Sequence, residues 1–231
     1  MLETFVKTNC ISLDYLLNGG FPTKTVSLVY GEAETGKTSL AIQCAVSCAR
    51  KGLRSLFIDT DGTFSFERLS QIAKNDFEQI SPLIIIMRPT SFQDQSKAID
   101  QLEKVITDKF GLIIVDTITS LYRVELDEMK ETYTANRELN RQLAVLTQIA
   151  RNCGIAVIII SQVRSILFEG TVRTRPVAAR VLNYWSDLVL NMIHSDQRRV
   201  IKIVLEKHPK IKELGKIFVQ IQSSGLIDYK Q

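Results

Sequence analysis

The stretch Gly31-Glu32-Ala33-Glu34-Thr35-Gly36-Lys37-Thr38 constrains this chain more than any other, because of what stands on either side of it. Residues 26–30 (VSLVY) before it read as a buried strand, and residues 39–50 after it as a helix. A glycine-bearing turn between such elements is the start of a strand-to-helix unit in a parallel sheet. The spacing G-x-x-x-x-G-K-T has a physical use. Gly31 and Gly36 let the backbone wrap closely enough for successive N–H groups to converge on phosphate oxygens. The helix that begins here points its partial positive end at the same anion. Lys37 places a cation against β- and γ-phosphates, and the Thr38 hydroxyl suits a magnesium ion. Residues Glu32, Ala33, Glu34 and Thr35 complete the cradle, with Ser39 in the first helical turn, so the segment predicts a nucleoside triphosphate site.

The remaining chain repeats the alternation. Residues 55–59 (SLFID), 83–88 (LIIIMR), 112–116 (LIIVD) and 156–161 (AVIIIS) read as strands. Helices are expected over 37–51, 66–75, 91–109 with Ser91 as cap, and 134–152, where Leu139, Leu143, Leu146 and Ile149 recur at spacings of three and four. Gly52 and Gly154 close the first and last of these. Near-continuous apolar strands between helices predict an α/β fold with a mainly parallel central sheet flanked by helices. After residue 186 the pattern becomes strands at 188–194, 200–207, 217–221 and 226–229 with short turns, which predicts antiparallel C-terminal strands.

With 231 residues, 45% of them apolar and 23% charged, one domain over 1–231 with a substantial core is expected. No run approaches the ~20 apolar residues of a membrane span, and the first residues lack a signal-peptide pattern, so a cytoplasmic protein without a membrane partner is expected. Cys10, Cys44, Cys48 and Cys153 show no zinc-ligand spacing. Cys44 and Cys48, four apart on a helix, suit small buried side chains. The net charge of +4 is unevenly spread: residues 1–160 carry 17 Lys/Arg against 19 Asp/Glu, whereas 161–216 carry 11 against 5. Such a basic C-terminal third suits a polyanion-binding face, although solvated surface has the same composition.

Asp116 ends an apolar strand well downstream of the loop, where a carboxylate supports Mg²⁺ from the opposite side. Residues 57–69 read FIDTDGTFSFERL. Together with the two phosphate-site motifs this stretch resembles the RecA/RadA recombinase family, whose members carry IDTEGTF-x-x-ERL. Residues 9–20 (NCISLDYLLNGG) are similar to the family's entry segment, and 116–123 (DTITSLYR) to the approach to its first DNA-binding loop. Residues 137–143 (RELNRQL) and 155–163 (IAVIIISQV) are similar to the helix and strand that end in its phosphate-sensing glutamine. The likeness covers nearly the whole chain in order and implies a RecA-type P-loop ATPase core. The family's N-terminal helix–hairpin–helix domain and its linker with the Phe-x-x-Ala polymerisation motif are not found, which resembles the archaeal RadA paralogues of the RadB-like kind.

The resemblance implies roles. ATP and Mg²⁺ would occupy residues 31–39 with Thr38 and Asp116 at the metal. Arg68 would lie beside adenine, unless it is an ordinary helix-surface arginine. Gln162 would sense the γ-phosphate. Asp61 stands where the family usually has glutamate to activate water. It carries the same charge on a side chain one methylene shorter, which implies intact nucleotide binding with slow hydrolysis. Glu34 is bulkier than the residue relatives often have. Residues 163–179 (VRSILFEGTVRTRPVAA) fall where relatives place a mobile DNA-binding loop. There Arg164, Arg173, Arg175 and the following Arg180 would neutralise phosphates, and Phe168 would stack on bases. Tyr122 and Arg123 are further candidates in the first loop region, and Lys207 a candidate for a γ-phosphate in a neighbouring subunit. The loop is shorter and poorer in glycine than in active recombinases, and an extended filament is disfavoured.

The expectation is thus an ATP-binding, DNA-binding regulator of homologous recombination or repair, favouring single-stranded DNA, with the main RadA recombinase as a candidate partner. Two alternatives remain: a strand-exchange recombinase with DNA-dependent ATPase activity, and a signalling ATPase or phosphotransferase of the KaiC kind.

Overall fold

The computed structural model describes residues 5–128, 132–168 and 171–229, with the side chains of 127–128, 164–168 and 171–173 excepted. The chain opens with β1 (Phe5–Val6), α1 (Ile11–Leu16) and β2 (Phe21–Pro22), then β3 (Val26–Gly31), the phosphate-loop segment and α2 (Lys37–Ala49). β4 (Arg54–Asp59) leads to α3 (Phe66–Ala73), a 3₁₀ turn, α4 (Phe77–Ile80), a second 3₁₀ turn and β5 (Ile84–Met87). α5 (Phe92–Val105), β6 (Phe110–Asp116), α6 (Ser120–Glu128), α7 (Thr132–Cys153) and β7 (Ala156–Ser161) follow. The last third contains β8 (Val163–Phe168), β9 (Thr171–Pro176), α8 (Ala179–Trp185), β10 (Leu188–His194), β11 (Val200–Lys207), β12 (Lys216–Gln222) and β13 (Gly225–Asp228).

One nine-stranded sheet, ordered β13-β12-β11-β10-β3-β7-β6-β4-β5, organises the molecule. The strands from β10 to β5 in that order run parallel, and β11, β12 and β13 extend the sheet antiparallel. The α/β class read from the alternation is the observed one. One strand departs from the expected pattern. β10 pairs with β3 in parallel, so the antiparallel part begins one strand later. The reason is its connection: α8 carries the chain back across the sheet before β10 starts, whereas β10 and β11 are joined by a tight turn.

Alternation of side chains across each strand explains the continuous apolar runs. Leu112 and Ile114 of β6 face a core with α2, while Ile113 and Val115 face a second core with α5 and α7. α2 is apolar on nearly every side because it lies between the sheet, α3 and β13. Cys44 and Cys48 are buried within it as small apolar groups. Ser91 caps α5 through its Oγ, which accepts from the Asp94 N–H at 3.0 Å. The helix stops at Val105, four residues earlier than expected, because Ile106 is already extended and the chain must turn back into β6. α1, α6 and α8 escape sequence reading because they are too short, or too mixed in polarity, to show a helical period.

Residues 163–176, expected as a loop, form an antiparallel hairpin of β8 and β9, with Val163 opposite Pro176 and Phe168 opposite Thr171. Val163 and Ile166 in one half and Thr171, Val172 and Thr174 in the other favour extended backbone, and that preference prevails over the breaking effect of Pro176 at the end. Among the described residues no helix is long and apolar enough to cross a membrane.

Candidate nucleotide site and nucleic-acid face

Parallel register brings the carboxyl ends of β3, β4, β6 and β7 to one rim of the sheet. Tyr30 lies opposite Ser161, and Asp59 opposite Asp116. Candidate site residues from distant parts of the chain meet there, as expected outside strand ends.

The phosphate loop is shaped by two glycines. Gly31 has φ +154°, and a Cβ there would overlap the Met192 carbonyl oxygen of β10. Gly36 is left-handed at φ +88° and begins α2, with Ile221 of β12 3.0 Å from where a Cβ would stand. The Thr35 hydroxyl donates to the Glu32 carbonyl at 2.9 Å, and Lys37 Nζ donates to the same carbonyl and, at 3.3 Å, to Thr35 Oγ1. Lys37 therefore reaches back across its own loop. Burial lowers its pKa, while the nearby Asp116 and Glu32 charges oppose that shift. Glu34 is exposed with φ +60°, so its bulk faces solvent. His194, at the end of β10, contacts the Ala33 carbonyl at 2.9 Å.

The two halves of the site join where Thr38 Oγ1 donates to Asp116 Oδ2 at 2.7 Å, across 78 residues of sequence. Asp116 is 1% exposed. Burial first, and then the charges of Asp61 and Asp59, push its carboxyl from 3.8 up to about 7 against the Thr38 hydrogen bond and the Lys37 charge. A hydroxyl and a carboxylate are hard oxygen donors of the type Mg²⁺ prefers, so the donor set fits that ion.

Asp59 has a structural task. Its carboxylate accepts from the Thr63 and Phe64 N–H groups at 3.0 and 3.4 Å and from Arg88 Nε at 3.2 Å. That ties down the turn carrying Asp61. Asp61 Oδ2 accepts from Gln162 Nε2 at 3.0 Å, and Gln162 Oε1 accepts from the Arg123 guanidinium at 3.1 Å. Arg68 Nε donates to Ser39 Oγ at 3.1 Å and a terminal nitrogen donates to the Ser223 carbonyl at 3.1 Å. It lines an open pocket of about 550 Å³ next to the loop, with Gln71, Arg199, Ile221 and Ser223. Sequence reading named none of these four, and for the last three the reason is their distance along the chain. They lie more than 150 residues downstream of the loop, in a segment whose only local signal is strand-forming.

On the candidate nucleic-acid face, Arg123, Arg175 and Arg180 are exposed near the start of α6, on β9 and on α8. The backbones of Arg164, Phe168 and Arg173 lie on the β8–β9 hairpin that leaves Gln162 directly, and their side chains are outside the described residues. Two expectations are corrected. Tyr122 is 3% exposed and donates its hydroxyl to Asn136 Oδ1 at 3.0 Å, so it packs inward rather than presenting a ring to bases. Lys207 donates to the Asn183 and Ser186 carbonyls, closing the C-terminal end of α8, where a cation satisfies unpaired carbonyls.

The Rad51 family model matches residues 3–229. The chain belongs to the Rad51 family. Relatives of this Rad51-family chain include the DNA repair and recombination protein RadB of Thermococcus onnurineus, 38% identical over 232 residues, covering 99% of this chain and 97% of that one. The RadB of Methanococcoides burtonii is 37% identical over 185 residues, covering 80% of this chain and 81% of that protein. The crystal structure of the RadB recombinase is similar with a TM-score of 0.84 and 32% identity, over 98% of this chain and 100% of that one. The Rad51-family likeness therefore extends over the whole sheet, including the antiparallel strands that complete the pocket at Arg68.

Proposed function

We propose that this chain binds ATP with Mg²⁺ in the cradle of residues 31–39, binds DNA with a preference for single strands, hydrolyses ATP slowly, and serves homologous recombination or repair as an accessory of the main RadA recombinase. The observation that carries the reading is the Thr38–Asp116 contact at 2.7 Å beside Lys37. Asp116 is costly to ionise where it lies, and a divalent cation relieves that cost. Thr38 and Asp116 would hold the magnesium, which supplies charge neutralisation at the phosphates. Lys37 and the N–H groups at the start of α2 would bind the same phosphates from the protein side. Arg68 and the pocket with Ile221 and Ser223 would take the base.

DNA binding is supported by the exposed Arg123, Arg175 and Arg180 around the hairpin, and by the repair and recombination role in the names of the relatives. Slow turnover follows from Asp61, whose short side chain must both meet Gln162 and reach a water. Calorimetric titration with ATP·Mg²⁺ and fluorescence anisotropy with single- and double-stranded oligonucleotides test these parts separately. Lys37→Ala is expected to weaken ATP binding by about a hundredfold or more. Unchanged affinity in that variant overturns the site, and absence of salt-sensitive oligonucleotide binding overturns the DNA reading.

A further inference from the structure

The phosphate loop is also held from outside itself. β10 makes its last pairing with β3 at Met192–Gly31 and continues to His194, so its end overhangs the loop. β11 supports that end through the pairing of His194 with Ile201. There His194 Nε2 lies 2.9 Å from the Ala33 carbonyl oxygen. A carbonyl only accepts, so Nε2 carries the hydrogen and the imidazole is the donor. This contact fixes the plane of the Ala33–Glu34 peptide, which is trans. In a trans peptide the C=O and the N–H point opposite ways, so a carbonyl turned out to β10 leaves the Glu34 N–H turned into the loop. Glu34 itself is left-handed at φ +60°, a conformation that a residue other than glycine keeps only where its surroundings impose it.

We propose that His194 is a positioning residue for the phosphate chain: its imidazole N–H holds the Ala33 carbonyl outward and so keeps the Glu34 N–H aimed at the nucleotide's phosphates. The proposal rests on the nucleotide binding argued above and adds a residue that belongs to neither phosphate-site motif. The bonds inside the loop do not supply the same hold. Lys37 Nζ donates to the Glu32 carbonyl, and a phosphate draws that ammonium away because the bond between two charged groups is the stronger one. Thr35 then remains on the Glu32 carbonyl, one peptide short of Glu34. His194 grips the next carbonyl from a strand that takes no part in holding the ligand, so its bond persists when phosphate binds. Convergent N–H groups attract an anion together, and a peptide fixed beforehand binds it without a further ordering cost. Without the imidazole this peptide is free to turn over, which sets the Ala33 carbonyl oxygen against the phosphates.

His194→Ala and His194→Gln in the full chain test the assignment. The glutamine Nε2 is as many bonds from Cβ as the imidazole Nε2, so glutamine keeps an N–H donor within reach of the Ala33 carbonyl and alanine removes it. Calorimetric titration with ATP·Mg²⁺ gives the affinity, and the backbone amide NMR resonance of Glu34 reports on the peptide directly. His194→Ala is expected to weaken ATP binding about three- to tenfold, the worth of one hydrogen bond, and to move the Glu34 resonance in nucleotide-free protein. His194→Gln restores most of both. Because the side chain is exposed, the unliganded thermal midpoints of both variants stay close to that of the parent. Full affinity in His194→Ala overturns the proposal, as does a Glu34 resonance in that variant that coincides with the parent's. A loss of affinity that glutamine does not recover, or that follows a lower unliganded midpoint, overturns it too, since the donor is then not what matters. A parent without affinity for ATP·Mg²⁺ overturns the nucleotide reading instead.

Discussion

Asp61 differs from a glutamate by one methylene, and in the hydrolysis proposed above that difference matters because proton transfer to a carboxylate requires heavy atoms within ≈ 2.6–3.2 Å. Its carboxylate already meets the Gln162 amide at 3.0 Å, so the same short side chain must serve two partners. Asp61→Glu is therefore expected to raise steady-state ATP turnover by about ten- to a hundredfold, with little change in ATP affinity. A phosphate-release assay beside a nucleotide titration checks both halves of that statement. Gly31 is a second decisive position. Any Cβ there meets backbone of β10 rather than a movable side chain, and φ is already in the range that favours glycine. Gly31→Ala is expected to lose about 2–3 kcal/mol of stability, read as a lower midpoint in urea.

The β8–β9 hairpin and the docked β13 show how short elements place functional groups. Arg175 and Arg180 flank the hairpin's return to the sheet and stand exposed. Removing both charges is expected to flatten the slope of log affinity for single-stranded DNA against log salt by about 2, since each phosphate contact contributes about one. Anisotropy at several salt concentrations gives that slope directly. At the other end of the sheet, buried Gln43 of α2 donates to the Leu226 carbonyl at 3.0 Å and accepts from the Leu226 N–H at 2.8 Å. This pair holds β13, and the turn at Ser223, against the helix that starts at the phosphate loop. Gln43→Leu leaves both backbone groups without these bonds and is expected to cost about 2–3 kcal/mol, seen in thermal unfolding. It should also weaken nucleotide binding, because Ser223 and Ile221 line the pocket at Arg68.

Across the molecule, six parallel strands gather their carboxyl ends on one rim, and the site is assembled from four of them. A ligand gripped by both Thr38 and Asp116 cross-links segments that separate on unfolding. Saturating ATP·Mg²⁺, at about a hundred times its Kd, is therefore expected to stabilise the chain by about 2.7 kcal/mol. Thermal melts with and without ligand measure this gain, and Lys37→Ala should remove most of it at the same ligand concentration. Much of this architecture was legible beforehand. The β10 and β11 boundaries coincide with the runs read from residues 188–194 and 200–207, and the strands at 26, 112 and 156 lie where their apolar runs do. The helices at 11, 120 and 179 were not legible, because each is stabilised by what it packs on rather than by a periodic face of its own.

The sequence alone determined the kinds of element, the phosphate loop and its acidic counterpart, because glycine conformational freedom, side-chain period and strand-end carboxylates act within a few residues of themselves. Tertiary structure decided the rest: that Thr38 lies 2.7 Å from Asp116, that β10 runs parallel to β3, that Arg199 and Ser223 share a pocket with Arg68, and that Gln162 joins Arg123 to Asp61. Those relations depend on strand order and on the sum of many packing contacts spread over the chain, and no local window of residues carries that sum.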